Sequence, residues 1–133
     1  MIYAVIDTNV LISALLTRNQ LSATVITFKN VLNGYVTPLY NDEILEEYSE
    51  VMNRPKFKFN KKDISLVLKY FSTFGLNIER TPFEELMIDE KDRVFYEVAL
   101  SKDDSFLVTG NIKHFPSDPK VVTPAEFLRI IGG

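Results

Sequence analysis

The sequence contains no cysteine and only one histidine among its 133 residues. Without cysteine, the chain cannot form a disulfide framework or a metal site built on thiolates. A chain free of cysteine suits a reducing compartment, so we expect a cytoplasmic protein.

Long apolar runs are also missing. No stretch approaches the ~18 apolar residues of a membrane span, and the N-terminus shows neither the basic region nor the cleavage site of a signal peptide. A net charge of -3 argues against a protein that coats nucleic acid by bulk electrostatics. It leaves open an enzyme whose acids hold metal ions against a phosphate. The length predicts a single domain spanning residues 1–133.

Apolar runs of strand length alternate with segments of helical periodicity. The run at 2–6 is uninterrupted, which is typical of a strand buried on both faces of a parallel sheet. The pattern predicts further strands at 35–37, 76–78, 106–108 and 121–122, and helices at 8–16, 21–32, 42–53, 63–74, 90–102 and from 124 onward. The last helix follows a capping box at 123–126 with proline at its first position. This alternation predicts an α/β fold with right-handed crossovers between parallel strands.

Three acidic residues are predicted to turn inward from different elements. Asp7 follows the first strand, and ligand sites of open α/β sheets lie at the carboxyl ends of strands. The helix at 42–53 carries Asp42 and four glutamates; of these five acids Glu47 lies closest to the apolar stripe, and Glu43, Glu46 and Glu50 point further toward solvent. Asp92 lies beside the apolar stripe of the helix at 90–102. A carboxylate at the edge of a buried face needs a partner, so these acids are candidates to converge on a metal ion.

Polar residues also follow the strand at 106–108. Asn111 has the shape of an aspartate without its charge and offers either a carbonyl oxygen or an amide donor. Thr109, together with Thr8 and Asn9 after the first strand, could orient ligands or water molecules. Capping and turn roles are equally compatible with these residue types.

The ordered set of motifs resembles the PIN domain family. It consists of Asp7-Thr8-Asn9, the Glu47 helix ending in Arg54-Pro55-Lys56-Phe57, Asp92 opening a helix, and Val108-Thr109-Gly110-Asn111. The closing segments Lys113–Pro116 and Val122–Leu128 resemble the branch that contains the toxins of toxin–antitoxin pairs. The resemblance implies a three-layer α/β/α fold with a central parallel sheet of about five strands, and a metal-dependent ribonuclease activity.

The resemblance also implies roles for individual residues. Asp7, Glu47 and Asp92 match three acidic positions of the family and are the expected ligands of Mg²⁺ or Mn²⁺, which prefer carboxylate, carbonyl and water oxygens. Asn111 matches a fourth catalytic position that is usually aspartate. Its missing charge predicts weaker occupancy of a second metal. We expect the surrounding shell to consist of Thr8, Asn9 and Thr109.

Each of these residues also has a structural interpretation. Asp7 could cap the following helix, and Glu47 could pair with a lysine. Asp92 could be an N-terminal acid favoured by the helix dipole, and Asn111 could be a turn residue. We expect His114 to be structural rather than a ligand.

A basic segment follows the helix at 42–53. Its cations alternate with two phenylalanines, Phe57 and Phe59, a pattern that could grip a phosphate backbone and stack bases. The alternative is a solvated loop whose phenylalanines plug the core. The cations predicted to contact RNA are Arg54, Lys56, Lys58, Lys61 and Lys62.

We therefore expect a metal-dependent endoribonuclease that cuts single-stranded RNA, with an antitoxin protein and a second copy of the chain as expected partners. One alternative is a degenerate PIN module that binds RNA or protein without cleavage, which Asn111 motivates. The other is a receiver domain with an acidic Mg²⁺ site. Asp7-Thr8-Asn9 lacks the paired acids that a receiver places after its first strand.

Overall fold

Five parallel strands form the central sheet of the computed structural model, which describes residues 1–132. They are β1 (Ile2–Ile6), β2 (Val36–Tyr40), β3 (Leu76–Asn77), β4 (Ser105–Val108) and β5 (Val121–Val122). Their order across the sheet is β3-β2-β1-β4-β5, and all neighbouring strands are parallel. The predicted parallel sheet is confirmed.

Helices cover both faces of this sheet, giving the predicted three-layer α/β/α arrangement. The described helices are α1 (Thr8–Leu16), α2 (Ala23–Leu32), α3 (Asp42–Met52), α4 (Lys61–Phe74), α5 (Arg93–Leu100) and α6 (Pro124–Gly132). The capping box before α6 is confirmed, because the Thr123 amide donates to Glu126 and the Glu126 amide donates to the Thr123 hydroxyl, at 2.9 and 3.1 Å. No helix within residues 1–132 has the length and apolar character needed to cross a membrane.

Several predicted element boundaries were wrong, among them the start of α2, which Ser22 caps so that the helix begins at residue 23 rather than 21. β2 extends through Pro38 to Tyr40 rather than ending at residue 37; β3 pairs only with Leu39 and Tyr40, so the missing N–H of Pro38 lies outside that ladder. The fourth helix begins at Lys61 because Asn60 caps it. The helix predicted at 90–102 is a 3₁₀ turn followed by α5, which ends at Leu100.

β1, the strand that leads to Asp7, lies at the centre of the sheet. Ala4 and Val5 are 0% exposed, as expected for a strand covered on both faces. β1 lies between β2 and β4, whereas a receiver domain has the strand order 2-1-3-4-5, in which β1 neighbours β3. The receiver interpretation was therefore wrong.

Candidate metal centre

The register of β1 and β4 brings Asp7 and Thr109 together. Ile6 pairs with Val108, so the next residue of each strand lies opposite the other at the carboxyl edge of the sheet. The Asp7 amide donates to the Val108 carbonyl at 2.9 Å. The Thr109 hydroxyl donates to Asp7 Oδ2 at 2.6 Å, and both residues are buried. Thr109 therefore orients the Asp7 carboxylate.

Asp7 occupies the N-cap position of α1, but its side chain forms no capping hydrogen bond. Burial raises the pKa of the carboxyl above its ordinary value, and repulsion from Glu47 adds to this effect. The hydrogen bond from Thr109 and the nearby amides of Thr8 and Asn9 lower the pKa and offset part of the increase. A capping role does not account for a buried, repelled carboxylate.

Glu47 reaches the same region from α3. This helix begins at the carboxyl edge of the sheet, because β2 ends at Tyr40 and Asn41 caps the helix by accepting the Ile44 amide at 2.8 Å. Glu47 is half-buried, whereas the other acids of α3 are exposed: Asp42, Glu43, Glu46 and Glu50. The predicted inward orientation is confirmed. Within residues 1–132, Glu47 forms no ion pair with a lysine.

Asp92 completes the group from the N-terminus of α5. A short turn joins the end of α5 to the start of the parallel strand β4. The N-terminus of α5 therefore lies at the opposite end, near the carboxyl edge of the sheet. Burial, followed by repulsion from Asp7 and Asp89, raises the pKa of Asp92 to about 6. His114 lowers that pKa, and its Nδ1 lies 3.6 Å from Asp92 Oδ2. Asp92 forms no capping hydrogen bond.

The remaining predicted residues differ in their positions. The Asn111 side chain is exposed, and the Asn111 backbone N–H donates to the Thr109 hydroxyl at 3.0 Å, which links the Asn111 backbone to Asp7 through one side chain. Asn9 is also exposed. Thr8 is buried, and its hydroxyl has no hydrogen-bond partner within residues 1–132. A buried polar atom of this kind calls for water or a ligand.

The donor set fits a hard divalent cation in its chemistry. It offers carboxylates, an amide and a hydroxyl, which suit Mg²⁺ and Mn²⁺. The carboxylates raise one another's pKa values, a conflict that a cation would remove. Across residues 1–132, however, no three or more histidine, aspartate or glutamate side chains lie close enough together to hold one ion.

Two polar interactions of buried side chains, those of Tyr48 and Glu97, were not predicted from the sequence. Tyr48, predicted as part of an apolar stripe, is fully buried, and its hydroxyl donates to the Ile6 carbonyl at 2.5 Å. Burial raises its pKa well above the ordinary value, and Asp7 and Glu47 raise it further, so the hydroxyl stays protonated.

The second unpredicted interaction is the ion pair between Glu97 and Arg80 at 2.7 Å. Glu97 is only 6% exposed. The available signal was a single charge within the apolar run Val94–Ala99.

The basic segment combines both predicted interpretations. Phe57 and Phe59 stack on each other with ring centroids 5.8 Å apart, and both pack against the core. Arg54 pairs with Glu50 at 3.0 Å. The exposed cations are Lys56, Lys58, Lys61 and Lys62.

Comparison with known proteins gives one match. The family model described as the PIN domain matches residues 3–113, a range that contains all four predicted catalytic positions. No curated protein matches the sequence. PIN domains are generally nucleases and typically use divalent metal ions. The family model covers most of the chain, and several acidic side chains lie at the carboxyl edge of its five-stranded parallel sheet. The chain therefore belongs to the PIN domain family.

Proposed function

We propose that the chain is a metal-dependent endoribonuclease that hydrolyses phosphodiester bonds of single-stranded RNA. One observation carries this proposal. Asp7 and Asp92 have raised pKa values because they are buried and repelled by neighbouring carboxylates, and His114 beside Asp92 is the one basic side chain within residues 1–132 that pairs with either of them. Retaining such charges in a stable fold calls for an external cation.

Asp7, Glu47 and Asp92 would supply carboxylates to Mg²⁺ or Mn²⁺, in part through bound water, since no three of the described acids lie close enough together to hold one ion directly. The bound ion would supply a hydroxide nucleophile and neutralise negative charge on the phosphate oxygens. Thr109 fixes the orientation of the Asp7 carboxylate through its 2.6 Å hydrogen bond, as second-sphere groups do at metal sites. Asn111 contributes a neutral oxygen where most family members have a charged one. We therefore expect weaker occupancy of a second metal.

Cleavage of a mixed single-stranded RNA pool in Mn²⁺, Mg²⁺ or EDTA tests the proposal. The wild type should cut only with a metal, and Asp7→Asn should abolish the cutting. Asp42→Asn is the matched control, because it removes the same charge from an exposed position. Equal cutting by wild type and Asp7→Asn would assign the activity to a contaminant or to a different site.

The exposed lysines of the basic segment, Lys56, Lys58, Lys61 and Lys62, are the proposed contacts to the RNA backbone, with Arg54 at their edge. Phosphate contacts of this kind make affinity depend on salt. Phe57 and Phe59 already stack on each other and on the core, so their faces are less available to bases than those of free rings. We propose a grip that is mainly electrostatic.

The toxin role and its partners belong to the same proposal. A toxin nuclease of this kind acts on cytoplasmic RNA and is held inactive by an antitoxin protein encoded nearby. Expression without the neighbouring gene should arrest growth, and co-expression should restore it. Failure of every neighbouring gene product to co-purify would count against an antitoxin. Sedimentation of the purified chain tests the proposed homodimer.

A degenerate module that binds RNA without cutting it is the second candidate, and Asn111 favours it. The neutral, exposed Asn111 side chain lowers the charge available to hold the metal. Binding of Mn²⁺ in calorimetry, combined with no cleavage of any RNA by wild type, would select this candidate. If Asn111→Asp then gained cleavage, position 111 would be identified as the cause.

A further inference from the structure

A single hydrogen bond links the residues that adjoin two of the acids. Tyr48 follows Glu47 in α3, and its hydroxyl donates to the carbonyl of Ile6, which precedes Asp7. Tyr48 is 0% exposed and Ile6 is 3% exposed, so water does not compete for this contact. The bond therefore ties the end of β1 directly to the helix that carries Glu47.

The Ile6 carbonyl depends on this side chain for a donor. The pairing of β1 with β2 runs from Ile2–Val36 to Ala4–Pro38, so Ile6 lies beyond the last pair on that side. A buried carbonyl without a partner is costly. The Tyr48 hydroxyl supplies the donor where the sheet has ended.

The Tyr48 ring extends the same connection to the helix that carries Asp92. Its centroid lies 6.2 Å from that of Phe95, which is three residues beyond Asp92 and thus one helical turn away. Its opposite contact is an edge-to-face pair with Phe71 at 5.3 Å, which holds the ring against α4. One side chain of α3, the helix that carries Glu47, therefore contacts both of the other elements that present the acids Asp7 and Asp92.

The carboxylates repel one another, so a contact that limits their separation is needed between the elements that carry them. Repulsion between Asp7 and Glu47 acts to separate β1 from α3, and metal ligands must be held to within about 0.5 Å of their working positions. We propose that Tyr48 is a positioning residue whose hydroxyl limits the separation of the acids, on which the affinity for the metal ion proposed above depends. The part of this inference that concerns metal rests on the proposed function.

The test compares Tyr48→Phe with Tyr70→Phe. Tyr70 is a matched control because its hydroxyl also donates to backbone carbonyls, those of Val31 and Leu32 at the end of α2, at 2.8 and 2.9 Å. Both variants lose one hydroxyl and keep the ring. Thermal unfolding in EDTA measures the structural cost of each, and calorimetric titration with Mn²⁺ measures the dissociation constant.

Both variants should unfold at a lower temperature than wild type. Only Tyr48→Phe should bind Mn²⁺ roughly 10- to 100-fold more weakly, the range typical of lost second-sphere contacts. Placing 4-aminophenylalanine at position 48 restores a donor and should recover most of the affinity. Wild-type Mn²⁺ affinity in Tyr48→Phe, or equal weakening in Tyr48→Phe and Tyr70→Phe, would overturn the proposal.

Metal-free crystal structures of the wild type and of Tyr48→Phe keep this inference separate from the proposed function. The Asp7 and Glu47 carboxylates should move apart in Tyr48→Phe, and an unchanged separation would overturn the positioning role. If wild type binds no Mn²⁺, the proposed metal-dependent function fails. The separation of the carboxylates then still decides whether Tyr48 positions them.

Discussion

Helices α3 and α5 each carry acids in two contrasting environments. Glu43 on α3 and Glu97 on α5 both pair with Arg80, at 2.8 and 2.7 Å. Glu97 is the more buried of the two, and its other oxygen accepts the Phe83 amide at 2.8 Å. A cation from the chain and a backbone donor thus compensate its charge.

Glu47 lies one turn after Glu43 on α3, and Asp92 occupies the N-cap position of α5 without a capping hydrogen bond. Both face Asp7, and within the described residues none of the three pairs with a lysine or arginine. Burial alone does not separate the two groups, since Glu97 is as deeply buried as Asp7, at 6% and 5% exposed. These inward-facing acids, which lack a lysine or arginine partner, are the ones expected to have a ligand.

The largest expected effect is on catalysis, in a comparison of Glu47→Gln with Glu43→Gln. Loss of a metal ligand forfeits several kcal/mol of transition-state stabilisation, so Glu47→Gln should lower kcat/KM roughly 1,000-fold. Glu43→Gln removes the same charge from an exposed ion pair and should change kcat/KM by about twofold at most. Rates on a defined RNA would measure both values. Equal losses would erase the distinction between the two environments.

Next in size is a loss of stability when Arg80 is replaced by methionine. Arg80→Met leaves the buried Glu97 carboxylate without its cation, and the free energy of unfolding should fall by about 2 to 3 kcal/mol. The control is Arg54→Met, which breaks an exposed pair with Glu50 and should cost less than about 0.5 kcal/mol. Urea denaturation measures both, and similar values would contradict a special role for Arg80.

Asp92→Asn should raise the free energy of unfolding of the metal-free protein, whereas Arg80→Met should lower it. Because folding raises the pKa of Asp92 from 3.8 to about 6, its contribution to stability is present below about pH 4 and is lost as pH rises through 6. The shift corresponds to about 3 kcal/mol, which water at this half-buried position reduces to about 1 to 2 kcal/mol. In EDTA at pH 7.5, Asp92→Asn should therefore be more stable than wild type by about that amount.

Two further measurements check this sign. The difference in stability between Asp92→Asn and wild type should shrink as the pH falls from 6 to 4. Asp103→Asn, at an exposed position, should show no such pH dependence. A metal-free Asp92→Asn protein less stable than wild type at pH 7.5 would mean that Asp92 supports the fold.

The smallest effect concerns cations that are not engaged by acids. Unlike Arg80, Lys61 and Lys62 form no ion pair within residues 1–132. Replacing both by glutamine should raise KM for RNA about two- to fivefold and reduce the dependence of log KM on log salt by about 1.4. Lys29→Gln combined with Lys69→Gln removes the same charge elsewhere. An equal effect there would point to net charge alone.

Local patterns were sufficient to predict most of the elements and the orientation of the acids. Helical periodicity separated Glu47 from Glu43, Glu46 and Glu50, and the half-burial of Glu47 confirms that ranking. The same reasoning separated Asp92 from the exposed Asp89. The apolar run before Asp7 identified the central strand, because only a strand covered on both faces tolerates it.

Contacts between distant segments escaped prediction. Helical periodicity places Tyr48 on the apolar face of α3. It predicts which face is buried, but not which acceptor a buried hydroxyl will find. The acceptor for Tyr48, the Ile6 carbonyl, is 42 residues away. β2 continues past its predicted end through Pro38, a residue that a strand tolerates only where its missing N–H is not needed, and that depends on where β3 begins pairing.

By itself, the sequence determined the alternation of strands and helices and the inward orientation of Glu47 and Asp92, because both follow from periodicities within a single segment. Only the tertiary structure decided which acids are neutralised. Arg80 reaches Glu97 across 17 residues and Glu43 across 37, whereas Thr109 reaches Asp7 across 102. Charge compensation depends on distances in space, and these are set only when the sheet register brings separate elements together.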